Sequence, residues 1–186
     1  VIDMTNMFRK NDNFNVDISS WDVSRVQQMR FMFSEATNFN QDLSGWDVSD
    51  VRTMREMFSD AISFNQNLSN WDVSKVTSFS RMFNPATSFN QNLGAWNLRT
   101  AGTVMAKVFG GSTSMSTDNY TDTVVGWANY VYTNSAPYTV NMSAQTNQIF
   151  DRAKSGGANF TDAGEARDYL TGSTANWTIS GDTEIN

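Results

Sequence analysis

The sequence predicts an α/β solenoid, a right-handed array of short strands and short helices whose strands align as a short parallel sheet, closed by a mixed α+β C-terminal cap. Three observations predict it. Trp21, Trp46, Trp71 and Trp96 recur at a constant step of 25 residues. Each 25-residue unit reads as a strand, a corner and a helical stripe. The period is then lost from about Gly110 onward, so the array is assigned to residues 1–110 and the cap to residues 111–186.

The repeat is carried by many coincident positions. Phe14-Asn15, Phe39-Asn40, Phe64-Asn65 and Phe89-Asn90 share one register, as do Ile18, Leu43, Leu68 and Leu93. Met7-Phe8, Met32-Phe33, Met57-Phe58 and Met82-Phe83 share another. In the second unit, the run from Phe39 to Trp46 alternates apolar and polar residues, which suits a strand and the turn after it. Ser49 stands where a hydroxyl can cap a helix N-terminus. Val51, Met54, Met57, Phe58 and Ala61 follow at spacings of three and four, the pattern of one helical face. No unit can bury such a face alone, so units must stack and place identical residues side by side.

The unit Phe-Asn-Gln-Asp-Leu-Ser-Gly-Trp-Asp-Val-Ser-x-Val-x-x-Met-x-x-Met-Phe-x-x-Ala resembles the bacterial surface protein repeat of the BspA-like leucine-rich-repeat proteins. The likeness covers roughly residues 1–110 and is strongest in the second and third units. It implies a leucine-rich-repeat solenoid at the cell surface or secreted, part of a larger chain, used for adhesion or protein contact. The first unit departs with Val16 where the others carry Gln, and it starts partway through, so the chain reads as a fragment. The fourth departs with Trp96-Asn97-Leu98-Arg99 in place of Trp-Asp-Val-Ser, and this drift marks the end of the regular array.

Beyond the array, Ser116 to Tyr130 reads as an amphipathic helix behind a Ser/Thr/Asp cap. Ala136 to Phe150 reads as loop and short strand. Residues 161–170 read as a second helix capped by Thr161, with Ala163, Ala166, Tyr169 and Leu170 facing inward, and Trp177-Thr178-Ile179 as a last strand. Such a segment is a lid, because an open array end exposes core and strand edges.

Composition narrows the function. The 186 residues carry a net charge of −6, with 39 % hydrophobic and 17 % charged residues, which fits a packed domain. No basic run exceeds the pair Arg9-Lys10, so no nucleic-acid footprint is present. No stretch approaches the ~20 apolar residues of a membrane span, and no membrane insertion is expected. Cys and His are both absent, which removes Ser–His–Asp triads, Cys–His dyads and the usual zinc ligands. Paired carboxylates are the remaining catalytic apparatus. Asp17 and Asp42 lie one unit apart, and Asp22, Asp47 and Asp72 form a second series, so a glycoside hydrolase is a distant third reading. The second series is better explained as capping of backbone donors before a helix. Calcium needs about six to eight converging oxygens, and no Asp-x-Asp-x-Asp-Gly loop is present. Calcium is therefore a weak expectation and no other cofactor is expected.

Binding candidates come from positions that project outward if Leu43 points inward. Asn40, Asp42 and Ser44, with Asn65, Asn67, Asn90 and Asn92, then form a polar stripe on the strand face, able to hydrogen-bond a peptide backbone or a sugar. The same Asn series can instead satisfy backbone groups at turns, and the stripe can be plain solvated surface. Tyr130, Tyr132 and Tyr138 form a second candidate patch, or pack the cap. Phe31, opposite Glu56 and Arg81 in register, is expected on the outer face. The sequence thus points to a non-enzymatic module that binds protein, peptide or glycan, with a ligand-free spacer of a large adhesin as the alternative.

Overall fold

The computed structural model describes residues 1–98, 103–110, 114–134, 141–151, 156, 159–160, 162–171 and 178–185. The first 98 residues form four stacked turns of chain, here called rungs 1 to 4, which begin at Val1, Val26, Val51 and Val76; residues 103–110 start a fifth. Neighbouring rungs are joined by single-residue parallel bridges, Asp3 to Gln28, Gln28 to Thr53, Thr53 to Ser78 and Ser78 to Val104. Among the described residues before Gly110 there is no helix and no strand. The expected α/β leucine-rich-repeat solenoid, with its parallel sheet and short helices, is therefore overturned. The rungs are built of tight turns.

The backbone explains why the helical stripe is not a helix. An α-helix needs every N–H to bond the carbonyl four residues back. In rung 3 the N–H groups of Met54, Glu56 and Phe58 instead donate across to Ser78, Ser80 and Met82 of rung 4, each at 2.9 Å. The alternate N–H groups of Met57, Ser59 and Ala61 donate back to carbonyls three residues earlier. This alternation needs left-handed backbone at intervals. Glu56 (φ 54°) and Asp60 (φ 59°) supply it here, as Phe31 and Glu35 do one rung earlier. Turns that close after three residues space their buried side chains much as a helix does, and Val51, Met54, Met57, Phe58 and Ala61 are all buried. The apolar pattern is legible in the sequence; the backbone beneath it is not. Ser49 accordingly caps no helix.

The run Phe39–Trp46 is no strand either. Phe39 and Leu43 are buried, but the Asn40 N–H goes to the Asn15 side chain instead of a neighbouring carbonyl. On this side the rungs are held by side chains, which leaves no backbone ladder to define a sheet.

Stacking fills the core with aromatic columns. Phe33, Phe58, Phe83 and Phe109 lie with ring centroids 5.5, 5.7 and 6.1 Å apart, and Phe39, Phe64 and Phe89 run beside them. Within a rung the pairs Phe33–Phe39, Phe58–Phe64 and Phe83–Phe89 are each stacked at 3.9 Å. Burial of each such ring contributes roughly 1.5–3 kcal/mol.

Past the rungs come α1 (Thr117–Thr133), β1 (Asn141–Asp151), α2 (Ala163–Thr171) and β2 (Thr178–Ile185), with β1 and β2 paired in parallel. The Ser116 side chain accepts the Asn119 N–H and caps α1, which runs past the expected end at Tyr130. The expected loop and short strand over 136–150 is in part the longer β1. The Asp162 carboxylate accepts the Glu165 N–H at 2.8 Å at the start of α2; Thr161, the expected cap, and Trp177 lie outside the described residues. Ala163, Ala166 and Leu170 are buried and Tyr169 is half-buried.

Candidate functional site

Rungs 1 to 3 each carry two short side-chain loops that satisfy their own backbone, and rung 4 carries one among the described residues. Asp17, Asp42, Asn67 and Asn92 each accept, through Oδ1, the N–H two residues on, at 2.8–2.9 Å. Asp22, Asp47 and Asp72 do the same for Ser24, Ser49 and Ser74. These are Asx turns. The carboxylate series thus caps backbone donors as expected, though of turns and not of helices. Among the described residues no group of three or more acidic, His or Cys side chains is placed to hold a metal ion.

Hydrogen bonding holds Asp17, Asp22, Asp42 and Asp72 below the usual aspartate range. The Ser19 and Ser44 N–H groups lower Asp17 and Asp42 respectively, and the Ser24 hydroxyl lowers Asp22. Burial pushes Asp72 up, but the Ser74 N–H and hydroxyl and the Asn97 amide together pull it further down.

The Asn series is an inter-rung clamp. Asn15 Oδ1 accepts the Asn40 N–H at 3.0 Å and the Gln41 Nε2 at 2.8 Å, and Gln41 also bonds the Asn15 carbonyl. Asn40 does this for Asn65 and Gln66, and Asn65 for Asn90 and Gln91. Asn40, Asn65 and Asn90 thus spend their side-chain oxygens on stacking. In the same way the tryptophan indoles of rungs 2 to 4 donate to the leucine-position carbonyl of the rung before: Trp46 to Ile18, Trp71 to Leu43 and Trp96 to Leu68.

Helix α1 completes both series. Its capping residue Ser116 gives its N–H to Asn90 Oδ1, and Asn119 Nδ2 bonds the Asn90 carbonyl and Oδ1, as a Gln does in the rungs. Trp127 donates its indole to the Leu93 carbonyl at 2.9 Å and stacks on Phe109. The Thr123 hydroxyl accepts the Leu93 N–H. A helix therefore stands in place of the next rung.

Where helix replaces rung, the surface is stepped. An open groove of about 430 Å³ runs between α1 and the faces of rungs 3 and 4, lined by Asn67, Ser69, Gln91, Asn92, Gly94, Ala95, Asn119, Asp122 and Gly126. Its floor is a glycine contact: a side chain on Gly94 would collide with the Asp122 carbonyl, and one on Gly126 with the Gly94 backbone. Two residues of the predicted stripe, Asn67 and Asn92, fall on its wall. Both are exposed, and their Nδ2 groups have no partner among the described residues. Asp42 is exposed and Ser44 half-buried, both away from the groove. The sequence reading missed Asn119, Asp122 and Gly126. The signal was Trp127, a fifth tryptophan out of period because a helix rising 1.5 Å per residue needs more residues to span a rung.

The tyrosine patch divides. Tyr132 packs edge-on against Phe160 and Tyr169, each with centroids 5.4 Å away, and so joins α1 to α2. Tyr130 is half-buried on α1, and Tyr138 lies outside the described residues. Phe31 is half-buried, with the Arg9 and Arg55 guanidinium groups 5.0 and 5.8 Å from its ring.

No curated protein and no solved structure matches the chain significantly. One family model does, over residues 2–123, from rung 1 through the Thr123 that closes onto Leu93. The chain belongs to the family described as Mycoplasma protein of unknown function, DUF285.

Proposed function

We propose that this chain is a non-enzymatic binding module, borne on a cell surface or secreted, that holds an extended polar ligand, peptide or glycan, in the groove between rungs 3 and 4 and α1. The observation that carries the reading is the groove's lining. Asn67 and Asn92 use their oxygens to shape their own turns and leave their amide N–H donors on an exposed surface, while Gln91, Asn119 and Asp122 line the groove around them. Polar groups fixed by local hydrogen bonds are pre-ordered for a ligand and lose little entropy on binding it. The resemblance of the repeat to bacterial surface proteins supports an adhesive setting.

The alternative is a spacer in a larger adhesin. It is favoured by one observation, that Asn40, Asn65 and Asn90 serve rung stacking. A mixed peptide and glycan array, run with calcium and with chelator, separates the two. The binding reading expects selective retention, insensitive to chelator, that falls about tenfold or more when Asn67 and Asn92 are both changed to Ala. A blank array supports the spacer, and retention unchanged by the double variant would show that binding does not use the groove.

A further inference from the structure

The rungs are electrically two-sided. Five exposed cations gather on the bridged side, over residues 27–31, 52–56, 77–81 and 103–107: Arg30, Arg52, Arg55, Arg81 and Lys107. Glu56 is the one anion of those residues. The side held by the Asn clamp is the reverse: over 40–47, 65–72 and 90–97 it carries Asp42, Asp47 and Asp72 and no cation. Rung 1 bears Asp3 and no cation over 2–6, so the basic strip begins at Arg30. Both flanking corners are mixed, with Lys75 on Asp50 at 2.6 Å on one, and Arg9 and Lys10 on Glu35 at 3.5 and 3.7 Å on the other. No basic run in the sequence shows the strip, because neighbours along it stand 25 or 26 residues apart. Backbone hydrogen bonds fix it level by level: the Phe31 N–H donates to the Arg55 carbonyl at 3.0 Å, the Glu56 N–H to Ser80 and the Arg81 N–H to Ala106, both at 2.9 Å. The column of Phe33, Phe58, Phe83 and Phe109 sets successive levels 5.5–6.1 Å apart. Like charges stacked so closely are destabilising by themselves. Arg55 is relieved by Glu56, which accepts its Nε–H at 3.1 Å; Arg30, Arg52 and Arg81 have no side-chain hydrogen bond or ion pair among the described residues.

We propose that this strip binds a linear anionic polysaccharide, whose sulfate or carboxylate groups fall on successive rungs along the stack. Four of the five cations are arginine, whose planar fork takes such oxyanions in two parallel hydrogen bonds. A polymer of repeating charge matches a surface whose own charges repeat, and it offsets their mutual repulsion. An acidic peptide has no free edge to pair with, because alternate N–H groups of the strip are already used between rungs. Nor does the strip offer exposed rings on which single-stranded nucleic acid stacks: Phe31, its one ring outside the core, is half-buried with guanidinium groups 5.0 and 5.8 Å from it. A membrane surface takes an apolar face as well as a basic one, and Val104 is the only exposed large apolar side chain of the strip. None of the five cations lines the groove beside α1, so the strip stands independently of the reading proposed for that groove.

The test measures binding of the intact chain, across a salt series, to heparin, polygalacturonate, neutral dextran, a single-stranded oligonucleotide and phosphatidylserine vesicles. Heparin or polygalacturonate is expected to bind and dextran not, with affinity falling steeply as salt rises, because bound counterions are released from the polyanion. The tighter of the two polysaccharides identifies sulfate or carboxylate as the preferred group. Arg30→Gln with Arg81→Gln should weaken binding about tenfold or more and make its salt dependence shallower. Arg30→Lys with Arg81→Lys, which keeps the charge, should keep the steeper salt dependence. Both pairs are exposed, so thermal midpoints should stay with that of the unchanged chain. Asn67→Ala with Asn92→Ala, in the groove, should leave polysaccharide binding as it was. The proposal is overturned if neither polysaccharide binds at low salt, if the Gln pair binds as the unchanged chain does, or if the groove pair weakens binding as much as the Gln pair. Tighter binding of the oligonucleotide or of the vesicles than of either polysaccharide would overturn it as well.

Discussion

A single residue type, the short Asp or Asn at the start of a turn, holds much of this structure. At one position the rungs carry Asp17, Asp42, Asn67 and Asn92, and all four make the same bond to the N–H two residues on. The amide makes it at any pH, whereas the carboxylate makes it best when ionised. Because Asp17, Asp22, Asp42 and Asp72 are held below the ordinary aspartate value of about 3.9, their stabilising contribution is complete above that value and is lost as pH falls through the lower folded-state values. Urea midpoints measured from about pH 7 to about pH 3 should therefore fall on the acid side. Asp17→Asn with Asp42→Asn should leave the neutral midpoint close to wild type and make the acid fall shallower, since Asn already serves at Asn67 and Asn92. An acid limb of unchanged slope would show that these carboxylates play no such part.

At the scale of the element, the decisive contact is between α1 and rung 4. Alanine is a better helix former than glycine by about 1 kcal/mol, so Gly126→Ala should stabilise an isolated helix. Here the added methyl meets the Gly94 backbone, which has no side chain to move aside. Gly126→Ala is expected to lower the thermal midpoint and to open the groove, the reverse of the propensity effect; a raised midpoint would mean that α1 does not lie on Gly94. This contact also marks what could be read from sequence. The spacing of Trp, Phe and Leu disclosed the stacking and the core, and Leu43 and Phe58 are buried as their pattern requires. The backbone class was misread because turns closing after three residues mimic a helical stripe, and the left-handed residues that enforce them, Phe31, Glu35, Glu56 and Asp60, are not the glycines that usually announce such a conformation. The groove was half legible: Asn67 and Asn92 stand out by register, while Asn119 and Asp122 belong to a helix that keeps the contacts of a rung but not its period.

At the scale of the whole, the described residues form a stack of rungs that α1 closes at one end, and the groove exists only because a helix closes the stack in place of another turn. Several of the carboxylates behind the net charge of −6 cap turns, so charge and folding are linked in rungs 1 to 3. The closure of the stack by α1 is the claim on which groove and proposed binding both rest. It is tested most directly by hydrogen exchange of the tryptophan indole N–H groups, followed by NMR in the intact chain. Trp46, Trp71, Trp96 and Trp127 should exchange slowly, because each donates to a leucine-position carbonyl inside the stack, and Trp21 should exchange fast. A Trp127 indole that exchanges as fast as that of Trp21 would contradict the closure, and the groove with it.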